Sequence, residues 1–237
     1  AQAVITRMTD FIYAIVPLLS MLLAAMGGVA GVSLVHPMML AALALMTTII
    51  HTVVFPFIYI TAILKMLSQV SSRFNIGKMA SLCRDISLGT LTISLAVFSG
   101  FMGIMGFAGA SVDGLKLKAA KMAAGTFIPV IGRSLADAMD TVMGTALLLK
   151  SALGILGMIV ILFLCAFPAI KIMAMSLLYR FVGAVIQPLG EDRLSDALSG
   201  LSSALTLVFA AVGAVGLLFF FMIAILVFMG NINMMLR

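Results

Sequence analysis

The chain has 237 residues, 64% of them apolar and 9% charged, with a net charge of +6 and a mean hydropathy of +1.30. Soluble domains carry about 25% charged and about 45–50% apolar residues, and a chain this size cannot hide so much hydrocarbon in one core behind a wettable surface. The composition argues against a soluble enzyme, a nucleic-acid binder and a disordered tail, and makes lipid the solvent for most of the chain.

The sequence starts at Ala1 without an initiator Met and without the charged n-region and cleavage site of a secretory signal, which fits a processed or trimmed portion of a longer protein. Four stretches contain no Asp, Glu, Lys or Arg: 11–64, 86–112, 151–170 and 197–236. About 20 helical residues cross a hydrocarbon core of about 30 Å, so the first stretch suffices for two crossings. Its expected break is Gly27-Gly28-Val29-Ala30-Gly31 followed by His36-Pro37. The pattern predicts helices near 11–26, 37–67, 86–107, 151–178 and 205–229, with kinks at Pro56 and Pro168.

Three more polar pieces separate them. Residues 68–85, with Arg73, Lys78 and Arg84, read as a basic loop or short interfacial helix. Residues 111–125 interleave Lys116, Lys118 and Lys121 with Leu115, Leu117 and Met122, a weak amphipathic pattern suited to headgroups. Gln187-Pro188-Leu189-Gly190-Glu191-Asp192 is a turn by composition, with a short helix expected to follow and Asp192 or Ser195 near its start.

The chain also resembles itself. A shift of 112 residues places Pro17 on Pro129, Leu23-Ala24 on Leu135-Ala136, Phe55-Pro56 on Phe167-Pro168, and Ile58, Ile60, Ala62 and Val70 on Ile170, Ile172, Ala174 and Val182. After a one-residue deletion, Asp85, Gly89 and Val97-Phe98 meet Asp196, Gly200 and Val208-Phe209. We therefore read one transmembrane domain over 1–237, with a first repeat at 11–109, an amphipathic connector at 110–127 and a second repeat at 128–230. Three membrane elements in each repeat would invert one copy relative to the other. The charges lean the same way. Residues 65–85 hold four basic residues and one acid and are expected in the cytoplasm, whereas 171–196 hold three of each and suit the other side. The lysines at 116–121 run against that arrangement.

The segment 128–150 is the most informative. On a helix starting near Ser134, residues Ser134, Asp137, Thr141 and Thr145 share a face with Asp140 and Gly144 beside it, bracketed by Arg133 and Lys150. Carboxylates at membrane depth need water, a cation or a partner. One reading is a stripe lining an aqueous passage or meeting another subunit. The other is an interfacial helix whose first-turn acids favour the positive end of the helix dipole, with Arg133 pairing locally.

Other charged and nucleophilic residues have plainer explanations. Arg84-Asp85 opens an apolar run and suits an interfacial cap paired with a neighbour, with a proton or ion relay as the alternative. Snorkelling accounts for Lys171 and Arg180. His36 and His51 have no acidic or cysteine companion, so we expect a helix-start and a buried, hydrogen-bonded histidine rather than a metal site. Cys83 and Cys165 are expected to be free structural thiols. Metalloprotease, phosphate-loop and serine-hydrolase motifs are missing. Gly100, Gly103, Gly106 and Gly109 read as a helix-packing face.

The runs Cys83-Arg84-Asp85-Ile86-Ser87, Phe127-Ile128-Pro129-Val130-Ile131-Gly132-Arg133, Leu147-Leu148-Leu149-Lys150, Cys165-Ala166-Phe167-Pro168-Ala169-Ile170-Lys171 and Gln187-Pro188-Leu189-Gly190 together resemble the stage III sporulation protein AE family of endospore-forming bacteria. The resemblance covers 28–231 and is to the family's membrane domain, since family members carry an additional signal sequence and extracytoplasmic region at the N-terminus. A translocated N-terminal region implies that Arg7 lies outside. Gly132, Arg133, Asp137, Asp140, Lys150, Pro168 and Lys171 match family motif positions. The resemblance implies a multi-pass protein of the mother-cell membrane around the forespore, within a secretion or feeding channel. Its implied partners are the other stage III sporulation A proteins, including a cytoplasmic ATPase, and the stage II sporulation protein Q complex.

These readings combine into an all-α polytopic membrane protein with kinked helices and short interfacial or re-entrant helices. It is expected to be a non-enzymatic channel component without cofactor, contacting lipid and its own copies but not nucleic acid. Candidate pore-lining or subunit-contact residues are Arg133, Ser134, Asp137, Asp140, Thr141 and Thr145; candidate interfacial charges are Arg84, Asp85, Lys150 and Lys171. Alternatives are a secondary transporter of a small solute, coupled through Asp137 or Asp140, and a non-conducting membrane scaffold.

Overall fold

In a computed structural model, the backbone is described over 1–26, 29–70, 76–127 and 131–235, and side chains over 1–26, 32–33, 35–68, 76–105, 141–142 and 144–228. Among the described residues the regular structure is entirely helical: α1 (Gln2–Ala25), α2 (Val29–Ile49), a π-helical turn (Ile50–Val54), α3 (Phe55–Val70), α4 (Gly77–Phe127), α5 (Ile131–Ile186), a 3-10 turn (Gln187–Leu189) and α6 (Asp192–Met235). Among the described residues five stretches are long and apolar enough to cross a membrane: Gln2–Ala25, Val35–Ser68, Gly77–Met105, Gly144–Leu189 and Asp192–Phe228. Each contains or overlaps one of the expected crossings. Helices are the natural answer in hydrocarbon, where every backbone donor and acceptor must be satisfied within its own segment.

The helices run further than apolarity predicts. Pro37 does not stop a helix; it lies inside α2, as Pro17 lies inside α1 and Pro168 inside α5. In an apolar medium, losing one backbone bond at a proline costs less than exposing a whole broken turn. Gly27 and Gly28 lie outside the described residues. Of residues 68–85, expected as a basic loop or a short interfacial helix, 77–85 form the first turns of the long helix α4. There Lys78, Arg84 and Asp85 are exposed while Ala80 and Ser87 are buried, so the polar residues occupy the outer face of a helix. The connector at 110–127 continues α4. The short helix expected after the 187–192 turn is α6 itself, 44 residues long and including the predicted 205–229 segment. Gly190, at φ +86°, reverses the chain there, and the Leu194 and Ser195 amides both bond the Glu191 carbonyl at 3.1 Å.

Pro56 carries its own compensation. The π-helical turn precedes it, and the Phe55 amide reaches back to the Ile50 carbonyl, five residues away. The extra residue of a π turn re-phases the helix, so that Ile50, Val54, Phe55, Ile58 and Thr61 are all buried on either side of it.

The contacts gather the chain into two compact units: Ala1–Met8, Ala44–Val97 and Leu162–Leu217 form one, and Thr9–Leu43, Phe98–Ile161 and Leu218–Arg237 the other. In the first unit, α5 and α6 pack antiparallel. Gly183 meets Ser195, Ser176 meets Ser202 and Thr206, and Cys165 meets Val212 and Gly216. In the second unit, Gly157 abuts Ile223 and Ile15, and Gly154 abuts Val227. The buried stripe of α5 therefore consists largely of small residues, which let helix backbones approach closely.

Candidate functional site

The polar stripe lies near the start of α5. Its helix begins at Ile131, so Arg133, Ser134, Asp137 and Asp140 are helical, but their side chains lie outside the described residues. Thr141 and Thr145 are exposed. The Thr145 hydroxyl donates to the Thr141 carbonyl at 2.9 Å, one turn back. Beyond Thr145 the same exposed face becomes aliphatic, through Leu148, Leu149 and Ile155.

Lys150 is a correction. Expected at the interface, it has 0% exposure, with Nζ donating to the Val227 carbonyl of α6 at 3.5 Å. Gly154, one turn on, makes room for Val227: a Cβ there would collide with its Cγ2. α6 thus lies close over this stretch of α5 and covers the lysine. Lys171 and Arg180, by contrast, are exposed further along α5, as snorkelling requires.

Arg84 and Asp85 do not cap a helix. They lie two turns inside α4, exposed, and neither forms an ion pair among the described residues. His36 is also inside a helix rather than at its start, and its Nδ1 shares a 2.9 Å hydrogen bond with Ser20 Oγ of α1. His51 lies in the π turn, its ring centroid 5.9 Å from that of Phe55, which stacks on Tyr59 at 6.1 Å. Cys83 and Cys165 are free thiols, half-buried, and Cys165 Sγ points at the Val212 carbonyl at 3.6 Å. Of the four spaced glycines, Gly100 and Gly103 have nothing within 4 Å of a would-be Cβ among the described residues. Gly106 and Gly109 lie outside the residues whose side chains are described.

One polar cluster was not singled out from the sequence. Ser176 Oγ donates to the Ser202 carbonyl at 2.9 Å and lies 3.0 Å from both Ser202 Oγ and Thr206 Oγ1; Ser202 Oγ in turn donates to the Ser176 carbonyl at 2.9 Å. The signal available was the run of Ser199, Ser202, Ser203 and Thr206 in a segment otherwise apolar beyond Asp196. Hydroxyls so placed serve as hydrogen-bonding contacts between membrane helices.

A chain that is all-α among the described residues, with five apolar stretches of spanning length there and with Ser176, Ser202 and Lys150 engaged between helices, belongs to the class of polytopic helical membrane proteins. Comparison with known proteins narrows this. The chain belongs to the stage III sporulation protein AE family, whose model matches residues 1–230. It is similar to the Stage III sporulation protein AE of Bacillus subtilis (strain 168), with 37% identity over 237 residues, covering 100% of this chain and 59% of that protein. No solved structure matches it.

Proposed function

We propose that the chain is the membrane part of a non-enzymatic, oligomeric channel component that serves exchange between mother cell and forespore during sporulation. The supporting observation is the exposed Thr141–Thr145 face near the start of α5, which carries Asp137 and Asp140 within the turn before it. One protomer offers too few intramembrane polar residues to line a wide passage, whereas a ring of copies multiplies a single stripe. The face at Gly100 and Gly103, with nothing close to it among the described residues, suits close approach of another helix. On this reading the protein sits in the mother-cell membrane around the forespore. It works with other stage III sporulation A proteins, including a cytoplasmic ATPase, and with the stage II sporulation protein Q complex.

The test is single cysteines at 137, 141 and 145, in a chain with Cys83 and Cys165 replaced, exposed to a membrane-impermeant thiol reagent. Labelling at all three positions in membranes is the expected result. No labelling from either side removes the pore-lining assignment, and a strictly monomeric protein in both detergent and lipid removes the ring.

A second reading, a secondary transporter, draws on the π turn before Pro56, because interrupted helices build solute sites in such proteins. It predicts a monomer or dimer and uptake into liposomes driven by H⁺ or Na⁺, lost in Asp137→Asn or Asp140→Asn.

A further inference from the structure

The exposed face of α5 is longer than a bilayer can cover. Large apolar side chains stand exposed along it from Leu148 to Leu189, about 60 Å at the helical rise. A hydrocarbon core of about 30 Å holds about 40 Å of a helix even at a tilt of about 40°, the upper end of the usual range. The remainder needs protein over it, since a long row of aliphatic and aromatic side chains is not left to water. Charge selects the part. Phe163, Phe167 and Lys171 follow one another a turn apart, all exposed, with the two rings 5.9 Å apart centroid to centroid. Lys171 makes no ion pair among the described residues.

A second exposed row, on α4, has the opposite charge and the opposite relief. This helix is the least buried of the five candidate spans. Ala80, Ser87 and Leu91 mark its buried side. On the other side, Asp85, Gly89 and Ile93 also follow one another a turn apart. Asp85 and Ile93 are exposed, and Gly89 between them has nothing within 4 Å of a would-be Cβ among the described residues. Asp85, like Lys171, makes no ion pair among those residues. Both rows belong to the first unit; α4 leaves it at Val97 and α5 returns to it at Leu162, so the two helices run in opposite directions.

We infer that the α5 row of one copy docks on the α4 row of the next, with Lys171 against Asp85. Both rows are exposed in their own chain, so they meet only between copies. With the helices antiparallel and the two charges paired, Phe167 comes level with Gly89, whose missing side chain leaves a hollow for the ring, and Phe163 with Ile93. Rows of side chains four apart interdigitate in the commonest class of helix packing. Because the two surfaces differ, the contact is head-to-tail, the kind that closes rings. The inference rests on the ring of copies proposed above and names the contact that builds it.

The experiment introduces Ile93→Cys and Phe163→Cys into a chain with Cys83 and Cys165 replaced, and oxidises membranes with copper phenanthroline. The variant with both cysteines is expected to give a ladder of crosslinked multimers. Each single variant alone gives none, and the two singles expressed together give dimers only. Crosslinked dimers from either single variant alone overturn the head-to-tail contact, as does a crosslink of the double variant that stays within one chain. Asp85→Lys is expected to cut the multimer yield about fivefold, the scale of one surface ion pair, and Lys171→Asp in the same chain to restore it. A yield that the exchange fails to restore, in a variant of wild-type helicity, overturns the pairing. If the double variant stays unlinked while an amine-reactive crosslinker still joins it into multimers, this contact is overturned and the ring stands, with lipid or a different protein on the face. A chain that both reagents leave monomeric in lipid removes the ring and the contact together.

Discussion

A Cβ at Gly216 would run into the Cys165 thiol and lie 3.0 Å from Cys165 Cβ and 3.5 Å from Met8 Cε. Nothing there can yield cheaply, because three helices meet at the point. Gly216→Ala is expected to lower stability by about 1–3 kcal/mol, the usual cost of overpacking. Cys165→Ala removes the obstructing sulfur, so the double variant recovers most of the loss. Thermal unfolding of the four chains as a double-mutant cycle checks it, and simple additivity rejects the contact. The same seam shows why Lys150 misleads a reader of sequence. It ends the run Leu147-Leu148-Leu149 as an interfacial lysine would, and only the nearness of Val227, permitted by Gly154, buries it.

Along the α2–α3 segment, the π turn decides which residues face inward. Removing Thr52, an exposed residue inside it, would restore α-helical phase and rotate α3 by about 100° relative to α2. Phe55 and Ile58, at 0% and 2% exposure, would then leave the core. The deletion is expected to cost more than about 3 kcal/mol, the scale of losing a large buried side chain, whereas Thr52→Ala stays within about 0.5 kcal/mol. Equal thermal midpoints for the two variants would show that the turn does not set the phase. The turn was not legible beforehand. Pro56 announces an irregularity, but whether a helix answers a proline by kinking or by a wide turn depends on the packing on both sides of it.

For the molecule as a whole, the repeat and the charge asymmetry predict that the segments near residues 72 and 190 face opposite sides of the membrane, which requires a third crossing between them besides Gly77–Met105 and Gly144–Leu189. Reporter fusions truncated after each position should therefore give opposite activities, one that works only in the cytoplasm and one that works only outside. Activity of the same reporter at both sites dismisses inverted halves. The Pro56 and Pro168 correspondence does not extend to their local structure, for a π turn precedes the first while the second lies within a continuous α-helix.

Composition and charge-free length dictated the class of protein and the existence of five apolar helices, because in hydrocarbon a backbone can satisfy itself only by coiling and a crossing needs a minimum length. Family membership was legible in uncommon strings such as Cys165-Ala-Phe-Pro-Ala-Ile-Lys171. Helix ends were not, because a lysine or aspartate on an outer face is as compatible with continuing a helix as with leaving one. Packing alone decided that Lys150 is covered and that Ser176, Ser202 and Thr206 join, since each depends on which residues from distant parts of the chain come to share a level.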